Sequence, residues 1–217
     1  MTTQLPRFNN RLGMRVSGIV LSAVMMVVSM AAQPARAEQR PDTLLRETVE
    51  QLLAELDSNR STLAADKGQL YDLVNRLVRA RFAVDKIPRL ILGAHFKTAD
   101  PDLRHRFTRA FMDLMIRTYA TVMFEYTGQE EIEYLPLAFD ESARTALVQT
   151  RVRDPGQAPV PVDYAFLRSA DGRWQIYDVR LDGISLVLSY RRSYDQIIRT
   201  KGFEALVYAL ETQDADG

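Results

Sequence analysis

The sequence predicts an α+β domain, with helices in its first half, a four-stranded antiparallel meander in its second half and helices again at its end. Three observations carry that prediction. Apolar residues recur every three to four positions from Asp42 to about Tyr126, the spacing changes to every second residue after Gly128, and no internal repeat or low-complexity linker divides the chain. With 217 residues, 47% of them apolar, the chain can bury a core without covalent staples, and it has no Cys with which to make them.

The charge balance, 28 Lys and Arg against 28 Asp and Glu, conceals an uneven distribution. The first 37 residues hold no acid and four basic side chains, Arg7, Arg11, Arg15 and Arg36. A basic region to Arg15, an apolar stretch from Val16 to Met30 and the small-x-small triplet Ala35-Arg36-Ala37 together predict a secretory signal peptide cleaved after Ala37. The apolar stretch is interrupted by Ser17, Gly18, Ser22 and Ser29 and is short for a bilayer span. Residues 1–37 are therefore assigned as a cleaved Sec signal peptide and residues 38–217 as one soluble exported domain. Without the leader, 24 basic residues face 28 acidic ones, which gives no electrostatic footprint for a nucleic-acid partner.

In the helical half, Pro41-Asp42 opens the first helix with Asp42 as its cap, and Leu45, Val49, Leu52 and Leu56 form its inner stripe. Leu70, Leu73, Val74 and Leu77 repeat the pattern. Asp85-Lys86-Ile87-Pro88 starts a short third helix, with Pro in the tolerated first turn and Gly93 as its stop or a point of close packing. Asp100-Pro101, an N-cap followed by Pro at the first helical position, opens the longest helix. Along it Leu103, Phe107, Phe111, Leu114, Thr118, Val122 and Tyr126 form one stripe, widened by Met115, Tyr119 and Met123. Asp102, Arg106, Arg109, Asp113 and Arg117 form a solvated stripe. Met and aromatic side chains suit a core, and equally the wall of a cavity that adapts to a flexible apolar ligand.

Four β-rich runs follow, Ile132 to Leu137, Ala143 to Val152, Val160 to Arg168 and Trp174 to Leu181, joined by short turns rich in Asp, Gly and Pro. Short connections imply antiparallel neighbours. Ala146, Val148, Thr150 and Val152 share one face of the second run, and Val160, Val162, Tyr164 and Phe166 one face of the third, so one side of the sheet needs covering by helices. By strict alternation, Trp174, Ile176 and Asp178 point one way and Tyr177, Val179 and Leu181 the other. Ser185 caps a further helix with Val187, Tyr190, Tyr194, Ile197 and Ile198 inside. Gly202 stops it, and Phe203, Leu206, Val207 and Leu210 mark a short terminal helix.

The chemistry-bearing residues are few. His95 and His105, the only histidines, stand ten apart with no HExxH pattern, so no metal or other cofactor is predicted. No G-x-S-x-G, P-loop or G-x-G-x-x-G occurs. Asp178, alone among apolar neighbours, is the one carboxylate to weigh for acid-base work, against a structural bond to backbone or Arg. Arg151, Arg153, Arg168 and Arg173 are candidates for a docking surface. The residues leave open a carrier of an apolar ligand between sheet and helices, a ligand-free adaptor, and a small NTF2-like enzyme using Asp178 and a tyrosine.

One resemblance bears on that choice. Leu92-Gly93, Phe96-Lys97-x-Ala99-x-Pro101-x-x-Arg104-x-x-Phe107-x-x-x-Phe111, Tyr119, Tyr126-x-Gly128-Gln129, Trp174-Gln175-x-Tyr177-Asp178-x-x-x-x-Gly183-Ile184-Ser185 and Arg199-Thr200-Lys201-Gly202-Phe203 occur in that order. Together they resemble the MlaC or toluene-tolerance family of periplasmic phospholipid carriers. The resemblance implies a four-stranded sheet and surrounding helices enclosing a deep apolar pocket for lipid tails, and a monomer without catalytic activity. It implies two partners besides phospholipid, an inner-membrane MCE-protein/ABC-transporter complex and an outer-membrane lipoprotein-porin complex. The positions expected to contact the tails are Phe111, Met115, Tyr119, Val148, Val152, Tyr164, Phe166 and Ile176. Burying two chains of about fourteen methylenes would gain at most roughly 20 kcal/mol, at about 0.8 kcal/mol per methylene.

Overall fold

The computed structural model describes residues 39–213; the assigned signal peptide lies outside them. The first helix, α1 (Pro41–Ser58), begins where proline's missing N–H and fixed φ suit the first helical position. Asp42 therefore falls inside the first turn and is not the cap as expected. Its carboxylate pairs with Arg40 at 2.9 Å and accepts from the Thr43 N–H at 3.0 Å. Two short helices follow, α2 (Arg60–Ala65) and α3 (Lys67–Val78), the second capped by Asp66, and then a single 3₁₀ turn (Arg79–Arg81). Beyond it come α4 (Ile87–Leu92), α5 (Ala94–Thr98) and the long α6 (Pro101–Phe124), whose Asp100 cap accepts from the Asp102 N–H at 2.8 Å.

The predicted stripe on α6 holds only at its start. Its steps average more than the 3.6 residues of a helical turn, so it drifts off the inner face: Val122 is 60% exposed, while Ala110 and Ala120 are buried. The stripe read as solvated is also partly engaged. Arg106 pairs with Glu204 at 2.7 Å and Glu211 at 2.8 Å, tying α6 to the terminal helix α8 (Phe203–Gln213).

The sheet has five strands, β1 (Glu131–Tyr134), β2 (Thr145–Arg153), β3 (Val160–Arg168), β4 (Trp174–Leu181) and β5 (Ile184–Ser185), in sequence order and all antiparallel. The fifth strand was not among the expected four. It exists because Asp182 (φ 49°) and Gly183 (φ 76°) make a two-residue turn with both φ values positive, and Asp-Gly is the sequence signal for that turn. Ser185 then caps α7 (Leu186–Lys201), accepting from the Leu188 N–H at 3.1 Å, and Gly202 ends the helix at φ 88°.

A bulge in β4 overturns the strict alternation. Phe166 pairs with Ile176 and Ala165 with Asp178, which leaves Tyr177 without a cross-strand partner. Directly opposed residues share a face, and the pairs Val148 with Tyr164 and Tyr164 with Val179 carry that face across three strands. Val179 and Leu181 thus join Trp174 and Ile176, and Asp178 turns to the other side. The extra residue makes the apolar face continuous.

Three buried clusters result. The first joins α4, α6, α7 and α8 through Ile91, Phe107, Phe111, Tyr194 and Val207. The second joins α1, α2, α3 and the far half of α6 through Leu56, Leu70, Val74 and Ala120. The third lies between the start of α1 and the sheet and contains Leu44, Leu45, Val148, Phe166, Trp174 and Ile176. Phe82 packs against both the first and the third. Its neighbour Ala83 donates to the Ile176 carbonyl at 2.8 Å, which fastens this segment to the edge of β4.

Candidate functional site

Six of the eight expected contact residues divide between two places. Val148, Phe166 and Ile176 are buried together in the sheet cluster with half-buried Tyr164 packed against it, whereas Phe111 is buried in the helical cluster with Met115 beside it. Val152, near the end of β2, and Tyr119, on α6, are half-buried and belong to none of the three clusters. Among the described residues, two surface clefts are each lined by none of the eight. One, of about 350 Å³, is ringed by polar groups such as Glu55, Asn59, Asp72 and Arg76. The other, of about 380 Å³, runs beside Leu137, Phe139 and Leu147.

The aromatic contacts show how α6 and α7 meet. Phe111 lies 5.2 Å from Tyr190, edge to face, and Phe107 lies 6.0 Å from Tyr194 and 5.7 Å from Phe203. The two helices therefore run antiparallel, which brings Tyr119 and Tyr190 to the same end of the pair. That end also carries exposed apolar side chains: Val122 at 60%, Leu188 at 50% and Ile184 at 63%. Tyr190 was legible in the sequence only as part of an inner stripe, because a tyrosine's partner lies on another helix and leaves no local signal.

Burial controls the phenol groups here. Burial first, then Tyr119, pushes the Tyr190 hydroxyl up to about 12, and burial raises Tyr119 with a smaller opposing effect from Tyr190. In the sheet cluster burial pushes Tyr164 up to about 12. A phenol that holds its proton more tightly folded than unfolded stabilises the fold fully below its unfolded value of about 10, and that contribution disappears as pH rises through the folded value. The helical circular dichroism signal is therefore expected to persist at pH 9 and to fall between about pH 10 and 12, together with rising tyrosinate absorbance. Phenols that all titrated near pH 10 in an intact fold would contradict this burial.

The remaining candidates have structural partners. Asp178 is 7% exposed; its Oδ1 accepts from the Val187 N–H at 3.1 Å and its Oδ2 lies 4.0 Å from Arg180 Nε, so it fixes the start of α7 to β4. His95 Nε2 meets Asp195 Oδ1 at 2.8 Å, and Asp195 also pairs with Arg199 at 2.8 Å; His95 first and then Arg199 hold its carboxyl below the usual range. Gly93 both turns the chain, at φ 55°, and receives the Arg191 guanidinium 3.0 Å from where a Cβ would stand. Arg151 and Arg153 lie at one end of the sheet, and Arg168 and Arg173 at the other, so they form no single patch. Arg151 also faces Glu133 at 3.6 Å, and Arg173 faces Asp171 at 2.6 Å. Among the described residues no group of three or more His, Asp or Glu could hold a metal, and no helix is long and apolar enough to cross a membrane.

Comparison with known proteins gives three results. The MlaC protein family matches residues 46–212. The chain is 21% identical over 187 residues to the intermembrane phospholipid transport system binding protein MlaC of Haemophilus influenzae, covering 84% of this chain and 86% of that protein. Its fold is similar to that of a phospholipid-binding protein from Ralstonia solanacearum, solved in complex with a phospholipid. That likeness has a TM-score of 0.74 and 22% identity, and covers 82% of this chain and 98% of the other.

Proposed function

This chain belongs to the MlaC protein family, and from that premise we propose that it carries phospholipid without catalysing any reaction on it. The acyl chains lie where the sheet cluster and the helical cluster meet near Phe82, and the head group stays toward solvent. The observation that carries this reading is the apolar sheet face that the Tyr177 bulge makes continuous from Val148 through Tyr164 to Val179. The phospholipid bound by the structural neighbour and the transport role named for the Haemophilus relative support it.

The carrier works in the periplasm after cleavage at Ala37. It exchanges lipid with an inner-membrane MCE-protein/ABC-transporter complex and an outer-membrane lipoprotein-porin complex, and so maintains outer-membrane lipid asymmetry. A carrier alone equilibrates lipid between sites of different affinity, so the direction of net transport is set by the energised partner.

Native mass spectrometry of the protein purified from its exported compartment without detergent is expected to show one added mass that extracts as a diacyl phospholipid. A folded protein that stays empty after incubation with labelled vesicles would reject the carrier and favour an adaptor. Asp178→Asn is expected to keep lipid loading, because Asp178 anchors α7 and performs no chemistry. Abolished loading in a folded Asp178→Asn protein would return Asp178 to the ligand site.

A further inference from the structure

β2 is longer than the strand beside it, and the surplus is open. β1 pairs only with residues 150–153 of β2, and the Leu135 N–H adds one bond to the Gln149 carbonyl at 3.0 Å. The chain then leaves the ladder at Pro136, and Phe139 packs against the sheet cluster, 5.9 Å from Trp174 and with Arg40 stacked on it at 4.8 Å. The first residues of β2 therefore have β3 on one side and no strand on the other. The Arg168 N–H donates to the Arg144 carbonyl at 2.9 Å, so every second residue from Arg144 turns its backbone toward β3. Gln149, and with it Leu147 and Thr145, turn theirs the other way. Among the described residues no backbone group pairs with the N–H and C=O of Thr145 or Leu147.

Both residues line the cleft of about 380 Å³, together with Ala146 and, from the loop after β1, Pro136, Leu137 and Phe139. Two donors and two acceptors in a row beside an apolar cleft suit an added strand, whose main chain supplies affinity and whose alternate side chains supply specificity. A residue opposite Ala146 would share its face with Leu137 and Phe139, which pack with Ala146 against the sheet cluster, so an apolar side chain fits there. Among the described residues Asp140 is the one charged side chain in the lining, and its carbonyl accepts from the Ala143 N–H at 3.0 Å, just before β2 begins. A cation on the occupant complements it. We propose that this edge takes an extended segment of a partner protein, antiparallel to β2, with apolar residues at alternate positions and a Lys or Arg at its C-terminal end. The inference uses no lipid contact and stands apart from the carrier reading.

The test titrates the isotope-labelled protein, purified from its exported compartment, with the capped peptide acetyl-Val-Thr-Val-Thr-Ser-Lys-amide and follows amide hydrogen exchange by NMR. In the protein alone the Thr145 and Leu147 amides are expected to exchange freely. In about 10 mM peptide both are expected to slow about tenfold, as for a dissociation constant of about 1 mM. The same peptide N-methylated at its two Thr residues cannot donate to the Thr145 and Leu147 carbonyls and is expected to leave both amides unchanged. A Glu-ended peptide is expected to bind about two- to fivefold more weakly than the Lys-ended one. Amides that the Lys-ended peptide does not slow, or that the N-methylated or Glu-ended peptide slows equally, overturn the proposal. So does slowing that grows with protein concentration without peptide, because the occupant is then a second copy of this chain.

Discussion

Truncation of Phe107 to alanine is expected to destabilise the protein by about 3–5 kcal/mol, as for a large aromatic removed from a core that cannot collapse around the gap. The ring is 0% exposed. It stacks on Phe111 at 5.7 Å, meets Tyr194 edge-on at 6.0 Å and lies 5.7 Å from Phe203, so one side chain joins α6, α7 and α8. Aromatic pairs of this geometry add about 0.5–1.5 kcal/mol each beyond the area they bury. A shift in the urea midpoint at unchanged slope measures the effect. A loss below about 1.5 kcal/mol would mean that the helices close the gap, and that Phe107 is not the joint between them.

A pair of aspartate substitutions separates core from ligand wall. Phe166→Asp is expected to prevent folding, because it places a carboxylate at a position with 0% exposure in the sheet cluster, and a charge buried without a partner costs several kcal/mol. Met115→Asp is expected to fold and to lose bound lipid, since Met115 is only half-buried beside the helical cluster and its carboxylate can reach water. Alternation alone treats Val148 and Phe166 as cavity wall, where a charge would empty the protein before unfolding it. Their full burial among Leu44, Leu45, Trp174 and Ile176 is why a charge there is expected to cost folding as well as lipid. Circular dichroism and native mass spectrometry on both variants decide it. A folded, empty Phe166→Asp protein would place the wall at the sheet, and a lipid-loaded Met115→Asp protein would remove α6 from the acyl path.

Most of the architecture was legible because it depends on local chemistry. The Asp100 and Ser185 caps, the Gly202 stop and three of the strand runs follow from residues within a few positions of one another. The bulge at Tyr177 was not legible, because an extra residue in one strand shows only against its partner, and its position depends on the Ala165 to Phe166 step of β3. The long helix failed for a related reason: its inner stripe changes target midway, from the cluster around Phe107 to the one around Ala120, and a single stripe cannot serve both. The eight candidate contacts share one limitation. Periodicity says which side chains face inward but not which inward faces meet, so it does not tell that six of the eight lie in or against two separate clusters and two in neither.

The sheet order carries a kinetic consequence. Each strand pairs only with its neighbours in sequence, so the sheet can zip up hairpin by hairpin with little loop-closure entropy to overcome at any step. The lid over its apolar face has no such advantage. Leu44 and Leu45 come from the first helix, and Arg40 there reaches the Leu137 carbonyl at 3.5 Å across a separation of 97 residues. Closing that long loop is the step that non-local topology slows, so the sheet's apolar face stays uncovered until the N-terminal helix returns to it.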